Sequence, residues 1–152
     1  MNSIKMERFR IIGIAVRTTN ENGQAMQDIP ALWQRFFAEQ VPAAIPGKVD
    51  DTLYCVYTGY EKDHTRPYTT VLGCRVFDAA VVPDGMMALT IEGGTFTHRQ
   101  AKGNLNDGIV FRAWTEIWNS DLPRRYASDY EVYGAKTQDP ANAEVDIFIS
   151  VT

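Results

Sequence analysis

Five residues near the C-terminal end of the chain decide how it folds: Asp129-Tyr130-Glu131-Val132-Tyr133. Side chains alternate along a strand, so Glu131 and Tyr133 share one face of it, and Tyr130 and Val132 share the other. A carboxylate held between aromatic neighbours is costly to bury unless something pairs with it. Two interpretations stay open from these residues alone. Glu131 faces solvent on an edge strand, as most glutamates do, or it lies at the floor of an aromatic pocket that receives a cation.

The same strand pattern occurs earlier in the chain, as Tyr54-Cys55-Val56-Tyr57, and a helix pattern is repeated with it. Both helices have the apolar spacing i, i+3, i+4, i+7, i+8 of one buried face: Ile29, Leu32, Trp33, Phe36 and Phe37 in the first, and Val110, Ala113, Trp114, Ile117 and Trp118 in the second. Each half therefore predicts strand, helix, strand, strand. We predict one domain, 1–152, whose halves at about 1–81 and 82–152 arose by internal duplication.

The repeat predicts an α+β fold: one largely antiparallel, curved sheet with two helices packed against it and a central groove for a ligand. The predicted strands are Phe9 to Thr18, Thr52 to Tyr60, Tyr68 to Phe77, Gly94 to Ala101, about Tyr130 to Tyr133, and Glu144 to Val151. We predict that Asp28 caps the first helix, with Pro30 in its first turn. Met86 to Glu92 is predicted to be a short extra strand that connects the halves.

Charge and composition exclude several classes of function. The chain has 15 basic and 19 acidic residues, a formal charge of -4 and no long basic cluster, so we expect no direct nucleic-acid binding. No apolar run is long enough to span a bilayer, and the first residues lack the apolar core of a signal peptide, so we expect a cytoplasmic protein without membrane contact. The His and Cys spacing fits no metal site, and we predict no cofactor.

The two cysteines, Cys55 and Cys74, are predicted to be reduced and structural. They fall on neighbouring strands of a predicted hairpin. If its loop is centred near His64, Cys55 lies opposite Gly73 and Cys74 points to the other face of the sheet.

Several further elements resemble the GyrI-like, AraC-type effector-binding domain family, which also forms the drug-binding half of multidrug-sensing regulators. The elements are Tyr54-x-x-Tyr57-x-x-Tyr60, Tyr68, Gly73-Cys74-x-Val76, Pro83-x-Gly85, Gly94-Thr95-Phe96, Trp114-x-x-Ile117-Trp118, Leu122-Pro123, Tyr130-Glu131-x-Tyr133 and Asp146-Ile147-x-Ile149. Their order runs through nearly the whole chain. Two positions depart from the family pattern: Phe96 stands where members have Tyr, and Ser150-Val151 stands where many have Pro-Val.

The resemblance implies that Glu131 lines a pocket between the two repeats and meets a cationic ligand. Regulators of this family carry a helix-turn-helix ahead of the domain, whereas this chain has few residues before its first predicted strand. We therefore expect a freestanding binding domain, without its own DNA-binding part.

The candidate ligand site consists of an acidic anchor and aromatic walls. Glu131 is the anchor, Tyr57 and Tyr133 are the first candidates for walls, and Tyr68, Trp114 and Phe96 come next, with Met86 and Met87 at the rim. A lipophilic cation gains about 0.5–2 kcal/mol from a good aromatic face. Core packing stays the alternative for the tryptophans, and filling of the sheet surface for the two tyrosines.

Three classes of function follow. The first is a module that binds small amphipathic, cationic organic molecules. The second is a hydrolase of reactive electrophiles in which Glu131, with nearby tyrosine hydroxyls, activates water. No Ser-His-Asp order, metal set or phosphate-binding loop supports any other chemistry, and the binding module, which has no catalytic residue, is the favoured class. The third is a modulator that contacts a protein partner, such as a regulator or gyrase.

Overall fold

The computed structural model describes residues 3–152. Met1 and Asn2 lie outside the described residues. They belong to the N-terminal segment in which we expected no signal peptide. Residues 3–152 form one antiparallel sheet of eight strands: β1 Ser3–Met6, β2 Phe9–Thr18, β3 Lys48–Thr58, β4 Tyr68–Val76, β5 Met87–Ile91, β6 Gly94–Gly103, β7 Ser128–Tyr133 and β8 Ala143–Ser150. Their order across the sheet is β1-β6-β8-β7-β3-β4-β2-β5. The predicted α+β fold is confirmed.

Three α-helices accompany the sheet in this part of the chain: α1 Ala25–Ala38, α2 Val41–Ala44 and α3 Ile109–Trp118. The prediction that Asp28 caps α1 is wrong, because the helix begins three residues earlier. The Asp28 carboxylate instead accepts hydrogen bonds from Thr18 Oγ1 (2.9 Å) and Gln24 Nε2 (3.0 Å). Asp28 thus ties the first turn of α1 to the end of β2. No helix in residues 3–152 is long and apolar enough to cross a membrane.

The strand order of the sheet is symmetric about its middle. β2-α1-β3-β4 and β6-α3-β7-β8 have the same internal order, and they meet where β3 pairs with β7. In that pairing Cys55 lies opposite Glu131. These two residues are also equivalent in the repeat, so the pseudo-twofold axis passes between them. Glu131 therefore lies at the centre of the molecule.

Each half of the chain contributes one short strand that pairs with a strand of the other half. β1 pairs with β6 of the second half, and β5 pairs with β2 of the first. The repeating unit is therefore strand, strand, helix, strand, strand. The short strand predicted at Met86 to Glu92 is confirmed as β5, but the sequence repeat included neither β1 nor β5, because strands this short carry little periodicity.

Each face of the sheet is buried. Helix α1 covers one part of the first face, over residues such as Ile12, Leu72 and Cys55, and α3 covers another part, over Val145, Ile147 and Ile149. The opposite face has a core of its own, which contains Phe9, Ile11, Val56, Val71, Ile91, Phe96 and Tyr130. The space that remains for a ligand is thus on the helix side, where the two helices meet the sheet.

The cysteine geometry differs from the prediction. Cys55 pairs with Leu72 and Cys74 with Leu53, one residue away from the predicted register. Because the strand period is two, this shift reverses the face of one strand relative to the other. Both thiols therefore lie on the helix side of the sheet, where both are free and fully buried.

Candidate functional site

Glu131 lies on β7, an internal strand bonded to β3 on one side and β8 on the other. Its side chain shares the helix-side face with Cys55 and Ile147, its two neighbours across the sheet. Only 1% of the residue is exposed. The solvent-facing, edge-strand interpretation is therefore wrong, and the carboxylate is buried at the junction of the two repeats.

Three neutral donors hold this carboxylate. Oε2 accepts hydrogen bonds from the Tyr57 hydroxyl (2.6 Å) and from Trp114 Nε1 (2.7 Å), and Oε1 accepts one from the Tyr133 hydroxyl (2.7 Å). The donors come from β3, α3 and β7, so the site unites both repeats. No basic side chain pairs with Glu131 among the described residues. Its negative charge is therefore solvated by hydrogen bonds but not neutralised.

Burial is the main electrostatic influence on Glu131. It raises the pKa of the carboxyl, and the hydrogen bonds from Tyr57, Tyr133 and Trp114 offset part of that rise. Burial also raises the pKa of Tyr57 and Tyr133 well above the usual value for a phenol, and the nearby Glu131 adds to the increase. Both tyrosines therefore stay neutral hydrogen-bond donors.

A cavity of about 300 Å³ lies beside this carboxylate, between α1, α3 and the sheet. Its walls are mostly apolar and aromatic: Asn20, Ala25, Met26, Ile29, Pro30, Tyr57, Tyr60, His64, Tyr68, Val110, Phe111, Trp114, Trp118, Arg124 and Glu131. A wider groove of about 1220 Å³ borders Glu131 as well, and Trp33, Phe37 and Tyr133 are among its walls. Glu131 thus borders two adjoining spaces.

The predicted wall residues divide into three groups. Tyr57, Tyr68 and Trp114 line the 300 Å³ cavity together with Glu131, and Tyr133 lines the wider groove. Tyr68 donates a hydrogen bond to Asn20 Oδ1 (2.6 Å), which fixes its ring at the cavity wall. The structure does not bring Phe96 to either space.

Phe96 points to the opposite face of the sheet. It pairs with Ser150, one position away from Ile149 on β8, so its side chain lies in the core that contains Tyr130, with ring centroids 5.7 Å apart. The suggested rim residues are also elsewhere: Met86 packs against the core under α1, and Met87 packs on the far face. Met26, on α1, is the methionine that borders the cavity.

Eleven of the fifteen residues that line the cavity were not predicted as site residues, among them the polar and aromatic side chains of Asn20, Tyr60, His64, Phe111, Trp118 and Arg124. Tyr60 continues the Tyr54-x-x-Tyr57 spacing, which could have indicated it. Trp118 packs against the core, as the core-packing alternative predicted, and it also lies in the cavity wall, where it stacks on His64 with ring centroids 5.4 Å apart. His64 and Arg124 lie in loops, and no periodic pattern gives the direction of a loop side chain.

A protein-family model matches nearly the whole chain. A family model described as "Integron-associated effector binding protein" (Cass2) matches residues 4–151. No curated protein sequence matches the chain significantly.

Three solved structures share the fold. The integron cassette protein VCH_CASS2 of Vibrio cholerae has a TM-score of 0.77 at 24% identity, with 99% of this chain and 95% of that chain covered. SAV2435 bound to tetraphenylphosphonium has a TM-score of 0.81 at 17% identity, with 99% and 93% covered. A putative bacterial transcription regulation protein of Staphylococcus aureus MU50 has a TM-score of 0.76 at 16% identity, with 99% and 97% covered.

Proposed function

Because the chain belongs to the integron-associated effector-binding protein family, we propose that it is a binding module for lipophilic organic cations. One observation carries this proposal: the unneutralised carboxylate of Glu131 borders an apolar cavity of about 300 Å³ at the junction of the repeats. Apolar walls lower the local dielectric constant, and a buried negative charge attracts a cation more strongly there than at the surface.

The aromatic walls suit the same class of ligand. The Trp114 and Tyr57 rings meet edge to face with centroids 5.3 Å apart, and Tyr57 and Tyr68 meet in the same way at 5.9 Å. Ring faces attract organic cations and also bury apolar groups. A relative with the same fold is bound to tetraphenylphosphonium, a lipophilic cation. This module would act without contacting DNA itself, and a cytoplasmic location stays a prediction.

The charge of the ligand provides the test. Tetraphenylphosphonium and tetraphenylborate have nearly the same size and shape and opposite charges. Isothermal titration calorimetry should show binding of the phosphonium and at least about tenfold weaker binding of the borate, a difference of about 1.4 kcal/mol. Equal affinity for the two ions, or preference for the borate, would refute a cation site.

The two alternatives predict different results. A hydrolase would release product from a reactive electrophile, and Glu131→Gln would abolish that release. A protein modulator, for example one that acts on gyrase, would keep its effect in Glu131→Gln and would bind neither tetraphenyl ion.

A further inference from the structure

The wider groove is related to the smaller cavity by the sequence repeat. Three aromatic residues of the cavity have repeat equivalents that line the groove: Trp114 corresponds to Trp33, Trp118 to Phe37, and Tyr57 to Tyr133. Ile29 and Val110, a further equivalent pair, line both spaces. We propose that this groove is a second ligand site, which binds planar aromatic cations and shares Glu131 with the cavity. The inference rests on the proposed role of Glu131 as the anionic group of a cation site.

Open aromatic side chains lie along the groove. Phe37 is 56% exposed although it belongs to the apolar stripe of α1, and Trp33, next to it, is only half-buried. Tyr133 meets the Trp33 ring edge to face, with centroids 5.0 Å apart, and its hydroxyl donates to Glu131 Oε1. Large apolar side chains that stay open at a concave surface are typical of a binding site. The aromatic surface therefore continues from the exposed end of the groove to the carboxylate.

The angles between the rings distinguish the groove from the cavity. In the cavity, Tyr57 meets Trp114 at 79° and Tyr68 at 74°, so the walls enclose an angular space that suits a bulky, non-planar cation. In the groove, Trp33 and Phe37 are inclined by only 26°, with centroids 5.9 Å apart. A flat ring system laid on this pair would continue the offset stack. The groove is therefore suited to a planar ligand.

The charge at the groove favours a cation. Glu131 and Asp51 are the charged residues among the described ones that line it, and no Lys, Arg or His is among them. The Asp51 side chain is 98% exposed and lies 3.4 Å from Lys48 Nζ, so it adds little. Glu131 is buried and lacks a basic partner within residues 3–152. Its attraction acts through space, so the ligand need not touch the carboxylate oxygens that Tyr57, Trp114 and Tyr133 already occupy.

Sharing one carboxylate couples the two sites. A cation in either space is attracted by Glu131, and cations in both spaces repel each other. Each ligand should therefore weaken the binding of the other by a limited factor, and the factor is the same in both directions. Two ligands that compete for one site behave differently, because the weakening then grows without limit as the competitor is added.

A planar cation and its neutral counterpart test the groove. The cation is 10-methylacridinium, and acridine is neutral in mildly alkaline buffer. Calorimetry should show at least about tenfold tighter binding of methylacridinium than of acridine. With tetraphenylphosphonium added at increasing fixed concentrations, the apparent dissociation constant of methylacridinium should rise to a plateau about tenfold above its initial value.

Two exposed phenylalanines provide matched variants. Of the two spaces, Phe37 lines only the groove and Phe111 only the cavity, and they are 56% and 54% exposed. Because both side chains are largely exposed, replacing either should leave the fold intact. Phe37→Ala should weaken methylacridinium binding by about fivefold and change tetraphenylphosphonium binding by less than about twofold. Phe111→Ala should do the reverse.

The outcomes separate this inference from the proposed function. If tetraphenylphosphonium binds but methylacridinium does not, or the two compete without a plateau, the second site is refuted and the cation site at the cavity stands. Equal affinity for methylacridinium and acridine, or methylacridinium binding that is unchanged in Phe37→Ala, also refutes the second site. If neither cation binds, the proposed function fails and this inference fails with it.

Discussion

Burial and hydrogen bonding act in opposite directions on Glu131. Three donors within 2.7 Å stabilise its charged form, but complete burial still leaves its pKa above the usual value. A ligand cation would supply the charge compensation that the site lacks. Affinity for a permanent cation and ionisation of Glu131 are therefore linked.

This linkage predicts a pH dependence. As pH falls through the raised pKa of Glu131, the carboxyl becomes neutral and the affinity for tetraphenylphosphonium should fall, approaching about tenfold weaker binding per pH unit below that pKa. Titrations over a range of pH would measure it. Affinity that stays constant as far as the acid limit of folding would show that the ligand does not sense this carboxylate.

The stability of the ligand-free protein should change with pH in the opposite direction to the ligand affinity. Because the folded-state pKa of Glu131 is raised, the folded protein binds more protons than the unfolded chain between the two pKa values. The contribution of Glu131 to stability therefore decreases as pH rises from the unfolded pKa to the folded pKa, and is constant above it.

Residue-level prediction succeeded where strand alternation determines direction. It placed Tyr57 and Tyr133 beside Glu131, because residues two apart on one strand share a face and the repeat relates the two strands. It failed for Phe96, because the residues around Phe96 do not determine how β6 pairs with β8. It also failed for the loop residues His64 and Arg124.

Within the elements, one pair of glycines controls how closely two strands approach. Gly13 on β2 lies directly opposite Gly73 on β4. A Cβ atom at Gly13 would collide with the Leu72 carbonyl oxygen, and one at Gly73 would collide with the Ile12 carbonyl oxygen. Both collisions are with backbone atoms, so no flexible side chain could move to relieve them.

Gly13→Ala should therefore lower the free energy of unfolding by at least about 3 kcal/mol, as overpacking and backbone displacement combine. Urea denaturation would measure the change. Gly23→Ala is the control: Gly23 has φ +70 but no neighbour within 4 Å of an added Cβ, so its cost should be about 1 kcal/mol. Equal costs for the two variants would contradict the close approach.

Element prediction from the sequence was accurate for long periodic segments. The stripes of α1 and α3, and the alternation of Val145, Ile147 and Ile149 on β8, gave the correct type of element, and the buried face is confirmed for α3 and β8. In α1, Leu32 and Phe36 are buried as predicted, but Phe37 is 56% exposed, so its inclusion in the buried stripe is wrong. The β3–β4 register was wrong by one residue, because the geometry of the Gly59–Pro67 loop fixes that register and the strands alone do not.

For the whole molecule, the pseudo-twofold axis explains why a duplicated fold has a single acidic site. Glu131 and Cys55 are equivalent positions on either side of that axis. The second half contributes the charge, and the first contributes a small, neutral thiol. The repeated Trp and Tyr positions predicted the matching strand–helix–strand–strand order of the two halves. The pairing of β1 and β5 with strands of the opposite half could not be predicted, because it depends on pairing between distant segments.

The reactivity of the two buried thiols reports on the opening of the whole fold. Burial raises the pKa of Cys74 to about 11, and burial together with Glu131 raises the pKa of Cys55 well above its usual range. Both should react with 5,5′-dithiobis(2-nitrobenzoic acid) only when the fold opens. Tetraphenylphosphonium at about 100 times its dissociation constant should slow that reaction by about 100-fold.

Cys74→Ala isolates the Cys55 signal in this experiment. Rapid labelling of Cys55 in the native protein, or labelling that the ligand does not slow, would contradict a closed core protected by occupancy of the adjoining cavity.

The affinity of the Glu131→Gln variant for tetraphenylphosphonium tests the central claim most directly. The amide removes the charge of the side chain and can keep the hydrogen bonds that Tyr57 and Trp114 donate. The account predicts that tetraphenylphosphonium binds this variant at least about tenfold more weakly than it binds the wild-type protein. Neutral triphenylphosphine oxide should bind both proteins with the same affinity. An unchanged phosphonium dissociation constant in a folded Glu131→Gln protein would contradict the role of Glu131 as the cation anchor.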